Sequence, residues 1–201
     1  MTPDVLIPRD DTCALAEIAI RQALFLDQNP RILDLCTGSG CIGIAIASRV
    51  KDAKVTLADL SREALAVAKK NVVLHHMTGR VSCVQVDAMA KPPAFLGQFD
   101  MIVSNPPYIT SAEMETLDPS VRDFEPHLAL DGGEDGMRYY RAILAGYLGH
   151  LAEDGCIIFE IGYDQKRAIR ALAQEYDCTC IIRRDYDGND RVAVIKPHPK
   201  A

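Results

Sequence analysis

The chain has 201 residues, 48% of them hydrophobic and 25% charged, and a formal net charge of −6. That size and balance suit one soluble domain, residues 1–201, able to bury its own core, and the short, charge-broken apolar runs exclude a membrane span. The acidic total argues against a nucleic-acid backbone as direct partner and for a small cationic ligand or a protein.

Residues 1–10 read as irregular, with Pro3 and Pro8, and lack a basic-then-apolar leader, so a cytoplasmic setting is expected. Asp11 or Thr12 is expected to cap a helix running through Ala14 to about Asp27. The run 31–35 reads as a buried strand, a glycine turn follows, and 41–50 reads as a helix. A second strand is expected at 53–59. A helix over 61–76 has Ser61 as N-cap and Ala64, Ala68 and Val72 on one face. Strands follow at 81–87 and 99–105. The polar stretch 106–133, rich in Pro, Asp and Glu, is far longer than a normal connection, and such loops usually carry function or are disordered. A helix over 134–152 has Met137, Tyr140, Leu144, Tyr147, Leu148 and Leu151 at helical spacing. Then come a strand at 155–162, a helix at 164–175, and a hairpin of 178–185 and 191–197 around Asp187-Gly188-Asn189. Alternation of this kind predicts an α/β fold: a doubly wound, mostly parallel sheet with helices on both faces and one antiparallel strand from the hairpin.

Seven cysteines are present without a C-x-x-C pair, and five histidines without metal spacing. Cysteines set in apolar stretches read as reduced, buried small hydrophobes, and no metal site is expected. His75 and His76, late in a helix, suit its negative end and are given no chemistry. Tyr139 and Tyr140 read as core packing.

In doubly wound sheets ligands bind at the carboxyl ends of the strands. The first strand runs into Asp34-Leu35-Cys36-Thr37-Gly38-Ser39-Gly40, where glycines permit a sharp turn and close backbone approach. The second ends in Asp59, about twenty residues beyond Gly38, able to accept from both hydroxyls of a ribose. The third ends in Asp87-Ala88, placed for a nucleobase edge. Gly38 to Gly43 also satisfies G-x-G-x-x-G, so a dinucleotide such as NAD and an oxidoreductase reading must be carried. Against it, Asp34 would repel a diphosphate, whereas it would suit the ammonium of S-adenosylmethionine (SAM).

The fourth strand ends in Asn105-Pro106-Pro107-Tyr108, the most specific signal in the chain. An amide or aromatic amine is a poor nucleophile because its lone pair is delocalised. The Asn105 side-chain oxygen and the Pro106 carbonyl, aimed by the rigid Pro-Pro segment, can each accept one N–H of a planar NH₂. Both acceptors favour positive charge developing on nitrogen. Tyr108 can stack on the planar group. Alignment with the methyl donor supplies most of the acceleration, and no general base is needed.

With these residues the chain resembles the SAM-dependent N5-glutamine methyltransferases, in particular those acting on peptide chain release factors. The resemblance runs over nearly the whole chain. It includes Leu6 to Thr12, Asp34 to Gly40, Asn105 to Tyr108, Glu125 to Gly136, Tyr140-Arg141 and Glu160 to Gly162. It implies a seven-stranded class I methyltransferase fold, SAM contacts at Cys36 through Gly40, Asp59, Ala88 and Asn105, and a glutamine amide held by Asn105 through Tyr108. The Glu125 to Gly136 stretch is narrower than Asn-Pro-Pro-Tyr, which adenine and guanine methyltransferases share. The sequence starts almost directly at the catalytic domain, whereas the family usually has an N-terminal helical domain that helps grip a release factor; either that domain is absent or the sequence is a fragment. Asp10 and Cys13 replace the usual Pro and Glu of the start motif. Cys36 stands where a glycine is often found, and its small size is expected to leave SAM binding intact. The competing readings are a nucleic-acid amino methyltransferase, a NAD-dependent oxidoreductase, and a catalytically idle SAM-binding partner module.

Overall fold

Short apolar strands alternating with amphipathic helices leave each strand with two faces to cover, and the chain covers both. The computed structural model describes residues 3–26 and 28–199. In chain order these form α1 (Asp11–Ala23), β1 (Arg31–Leu35), α2 (Cys41–Arg49), β2 (Lys54–Asp59), α3 (Arg62–Leu74), β3 (Val81–Gln85) and β4 (Phe99–Ser104). They continue as β5 (Ile109–Thr110), α4 (Ser111–Met114), α5 (Pro119–Arg122), β6 (Asp131–Gly133), α6 (Arg138–Tyr147), β7 (Leu151–Glu160), α7 (Lys166–Glu175), β8 (Cys178–Arg184) and β9 (Asp190–Pro197).

Seven strands make one sheet in the order β3-β2-β1-β4-β7-β9-β8. All pairings are parallel except those of β9, which runs antiparallel to β7 and to β8. This is the doubly wound, mostly parallel sheet with one reversed strand that the hydrophobic pattern predicts. Alternate residues of β1 point to opposite faces. Leu33 and Leu35 join Ile102, Ile157, Phe159 and the buried face of α6, while Ile32 joins Met101, Val103, Ile158 and residues of α1, α2 and α3. Two cores therefore lie back to back across the central strands. On α6 the buried residues Tyr139, Tyr140, Ile143, Leu144 and Tyr147 recur at the helical period. Ser61 caps α3 as expected, its hydroxyl accepting the Ala64 amide at 3.0 Å. No helix among the described residues is long and apolar enough to cross a membrane.

Three expectations are corrected. Neither Asp11 nor Thr12 caps α1; the N-cap is Asp10, without a side-chain bond, because Asp11 pairs with Arg191 at 3.0 Å and Thr12 is buried against the sheet. That helix ends at Ala23, and Asp27 lies outside the described residues. The helix expected to reach residue 152 stops at Tyr147. Leu151 keeps its helical spacing but pairs with Phe99 as the first residue of β7, and an irregularity in the β4–β7 register takes up the extra residues. The stretch 106–133 is structured. It holds the β5–β6 ribbon, α4 with a Thr110–Glu113 capping box, and α5 capped by Asp118.

Candidate active site

The strand order reverses between β1 and β4, so their carboxyl ends part and leave a crevice. Register sets Leu35 level with both Ala58 and Ser104, and Asp59 level with Gln85. The four strand ends thus open on one cleft. Ser104 ties the rim together by donating to the Leu35 carbonyl at 2.6 Å.

The turn after β1 is held from beneath. Asp34 is fully buried, and its Oδ2 accepts from the Thr37 hydroxyl at 2.6 Å and the Gly43 amide at 2.8 Å. Burial raises its pKa to about 7 against those two hydrogen bonds. Asp34 does not line the cleft; its Oδ2 shapes the loop, while its Oδ1 is buried with no hydrogen-bond partner among the described residues. Gly40, the N-cap of α2, is likewise off the wall. Cys36 takes φ +59°, a left-handed conformation that suits glycine, so a side chain is held there under strain. At Gly38 a Cβ would meet no atom within 4 Å, which makes this bend an open cradle.

Cys36, Thr37, Gly38, Ser39, Asp59, Asp87, Ala88 and Asn105 all line the cleft. Asp59 accepts the Gly38 amide on Oδ2 at 2.8 Å and the Ser61 amide on Oδ1 at 2.9 Å. Each oxygen keeps lone-pair capacity for a ligand. Burial raises the Asp59 pKa, and these amides oppose the rise. Asp87 accepts from the Met89 amide at 2.8 Å. The wall carries three carboxylates, Asp4, Asp59 and Asp87, and no Lys, Arg or His among the described residues.

Of Asn105 to Tyr108, Asn105 and Pro107 reach the wall, whereas Pro106 and Tyr108 do not. Tyr108 is half-buried, and its hydroxyl donates to Glu160 Oε1 at 3.3 Å. Burial and the Glu160 charge push its phenol pKa upward. The ring is therefore anchored beside the cleft rather than laid over it. The Gly-Gly…Gly stretch explains how this segment is fixed. A Cβ on Gly132 would come within 2.7 Å of Tyr108 Cα, and one on Gly136 within 2.4 Å of the Tyr108 carbonyl oxygen. Only glycine allows the 132–136 backbone to lie directly on Pro107-Tyr108.

Sequence reasoning missed the front of the cleft. Val5, Leu6 and Pro8 line it from one side, Pro126 and Leu128 from the other. These two segments are clasped by Glu125, which accepts the Ile7 amide at 3.2 Å and pairs with Arg9. Apart from Val5, the residues lie in Leu6 to Thr12 and Glu125 to Gly136, where pattern was visible but a contact across more than a hundred residues was not. Tyr139 lines the cleft too, although helical spacing marks it as core. No cluster of metal-ligating side chains occurs among the described residues.

Residues 18–132 match the model of the methyltransferase small domain family. A release factor glutamine methyltransferase of Agrobacterium fabrum is 36% identical over 98% of this chain and 68% of its own length. Across eight of the curated relatives it matches, the chain spans from 56% to 68% of their length. Among solved structures, the release factor-specific protein-(glutamine-N5) methyltransferase of Alicyclobacillus acidocaldarius superposes with TM-score 0.58 at 28% identity, covering 99% of each chain. The ribosomal protein L11 methylase of Lactobacillus delbrueckii superposes with TM-score 0.69 at 22% identity, over 96% of this chain and 81% of that one. Together with the sheet order, these likenesses make the fold that of the class I SAM-dependent methyltransferases.

Proposed function

The chain belongs to the release factor glutamine methyltransferase family, and from that premise we propose that it methylates the side-chain amide nitrogen, N5, of a glutamine in a protein, in the first place the Gly-Gly-Gln loop of a peptide chain release factor. The observation that carries the proposal is Asn105, which borders an acidic, cation-free cleft at the point where the strand order reverses.

That cleft fits SAM. Three carboxylates favour a cationic ligand over a diphosphate, which counts against NAD. The Gly38 bend would take the ligand against backbone, Asp59 would accept its ribose hydroxyls, and Asp87-Ala88 would border its base. SAM, when bound, supplies an electrophilic methyl on a sulfonium. Asn105 Oδ1 would accept one N–H of the glutamine amide, and the Pro106 carbonyl, set back from the cleft wall, would have to turn toward the cleft to accept the other. They would orient the nitrogen and stabilise the positive charge it gains as the C–N bond forms and the methyl's C–S bond breaks, leaving S-adenosylhomocysteine. The proton of the methylated nitrogen then passes to water. Pro107 and Tyr139 exclude solvent from one side and the Val5–Pro8 segment from another. The protein substrate would act in the cytoplasm.

Transfer of labelled methyl from SAM to a release factor, beside the same factor with its Gly-Gly-Gln glutamine changed to alanine, tests this. Label on the first and not on the second is expected. Equal labelling of both, or labelling of an adenine-containing oligonucleotide instead, would overturn it.

A further inference from the structure

Two prolines in a row leave a stretch of backbone with no amide N–H by which to hold it. In Asn105-Pro106-Pro107-Tyr108 only the end residues carry one, so the segment bordering the cleft must be fixed by what its carbonyls meet. Just before it, Ser104 is tied to the Leu35 carbonyl. At its far end, the Tyr108 carbonyl accepts from Gln165 Nε2 at 3.1 Å. Gln165 is buried, and the chemistry above gives it no task. It stands at the N-cap of α7 but makes no side-chain bond to that helix. The side chain turns inward instead. Its Nε2 also donates to the Gly136 carbonyl at 3.3 Å, while its Oε1 accepts from the Gly162 amide at 2.9 Å and the Tyr140 hydroxyl at 3.2 Å. One amide thus joins the segments that follow β4, β6 and β7 to α6. Glycines make room for it: a Cβ on Gly136 would lie 2.6 Å from Nε2, and one on Gly162 3.2 Å from Cδ.

We propose that Gln165 is a positioning residue for methyl transfer: by holding the Tyr108 carbonyl it fixes the far end of the Asn105–Tyr108 segment. Gln165 itself does not line the cleft. Its partners settle which end of the amide is which. A backbone N–H can only donate and a backbone carbonyl can only accept, so Oε1 must face Gly162 and the two N–H groups must face Tyr108 and Gly136. The rings of Pro106 and Pro107 lock their φ angles. With Ser104 held on one side and Tyr108 on the other, few torsions remain free. Gln165 therefore limits how far the Pro106 carbonyl can turn toward the cleft while Asn105 stays on the wall. An acid of the same shape would undo this. Gln165→Glu keeps an acceptor for Gly162 but sets a second acceptor oxygen against two carbonyls.

The catalytic part of this inference rests on the glutamine methyltransferase reading, but the hold on Tyr108 does not. The test therefore begins without substrate. The sequence contains a single Tyr-Ile pair, Tyr108-Ile109. The whole chain labelled with ¹³C-carbonyl tyrosine and ¹⁵N-isoleucine thus gives one carbonyl–amide correlation, whose carbonyl shift reports the bond to Gln165. Gln165→Glu and Gln165→Met should both displace it. Tyr140→Phe is the comparison: it removes one bond to Oε1 and strands the Glu160 carbonyl, yet leaves both Nε2 bonds in place. It should lower the melting temperature and leave the Tyr108 signal where it is. With release factor and SAM, the two Gln165 variants should lower kcat roughly tenfold at unchanged affinity for S-adenosylhomocysteine, whereas Tyr140→Phe should keep its kcat. If Gln165→Glu fails to fold, Gln165→Met decides alone. The inference is overturned by an unmoved Tyr108 signal in Gln165→Met, by a moved signal with kcat unchanged, or by an equal kcat loss in Tyr140→Phe. A signal that moves as expected, in a protein whose wild type leaves release factor unmethylated, would instead overturn the substrate assignment and leave the hold on Tyr108 standing.

Discussion

Asn105 and Asp34 sit at the ends of neighbouring parallel strands and do opposite work. Asn105 reaches the cleft, so Asn105→Ala should lower kcat about 10²- to 10³-fold, the usual cost of one lost electrostatic contact to a transition state, with SAM affinity little changed by calorimetry. Asp34 works from below. Its pKa rises from the usual 3.8 to about 7, so the folded chain holds this proton more tightly than the unfolded chain. The associated stability is complete below about pH 4 and is lost as pH rises through about 7. A fully buried group shifted this far accounts for about 4 kcal/mol across that window. Denaturant unfolding between pH 4 and 8 should therefore give a flatter stability profile in Asp34→Asn than in the parent; equal slopes would mean the carboxyl is already charged in the fold. The Asp34 pattern was plain in the sequence, but its direction was not. Position along a strand says which face a residue takes, not whether a neighbouring hydroxyl will claim it.

The paired segments at the cleft front make the corresponding case for elements. Glu125 is 4% exposed at its side chain, and Arg9 and the Ile7 amide are its partners. Arg9→Ala strands that carboxylate at a cost of about 1–3 kcal/mol. If the clasp holds the front closed on a ligand, S-adenosylhomocysteine should bind more weakly by roughly 5- to 100-fold. Arg21→Ala, which removes only an exposed 3.5 Å pair with Glu17, should change nothing and serves as the control. Gly132→Ala tests the opposite side, since its Cβ would press on the Tyr108 backbone at 2.7 Å. Overpacking of this kind costs typically about 1–3 kcal/mol, and a lowered melting temperature with lowered kcat is expected. Element positions were legible because each strand is a short apolar run bounded by turn residues. The exception, Leu151, had the correct period for α6, yet pairing with Phe99 outweighed it. The front of the cleft was not legible because a clasp between residues 9 and 125 leaves no periodic trace.

For the molecule as a whole, the two cores share the same strands, with Ile32 on one face and Leu33 on the other. Neither can melt while the other stays packed. We expect one calorimetric transition whose van't Hoff and calorimetric enthalpies agree, as for a single domain; two resolved transitions would divide the chain. Saturating S-adenosylhomocysteine should raise that transition as one. The acidic total of the sequence foretold the sign of the cleft but not its concentration there, since charge summed over a chain does not say where folding will collect it.

The cleft also contains two sulfur atoms, Cys36 and Cys41, among seven free cysteines. Burial and the surrounding aspartates raise both thiol pKa values, that of Cys41 to about 11. At neutral pH only about one Cys41 in ten thousand is then a thiolate, the form that peroxide and alkylating reagents attack. Exposed Cys13 should take iodoacetamide first. Burial first, and with it the negative field that would attract a sulfonium, thus keeps these thiols protonated and shields them from oxidation, so the protein can hold sulfur in the cleft without becoming a redox sensor.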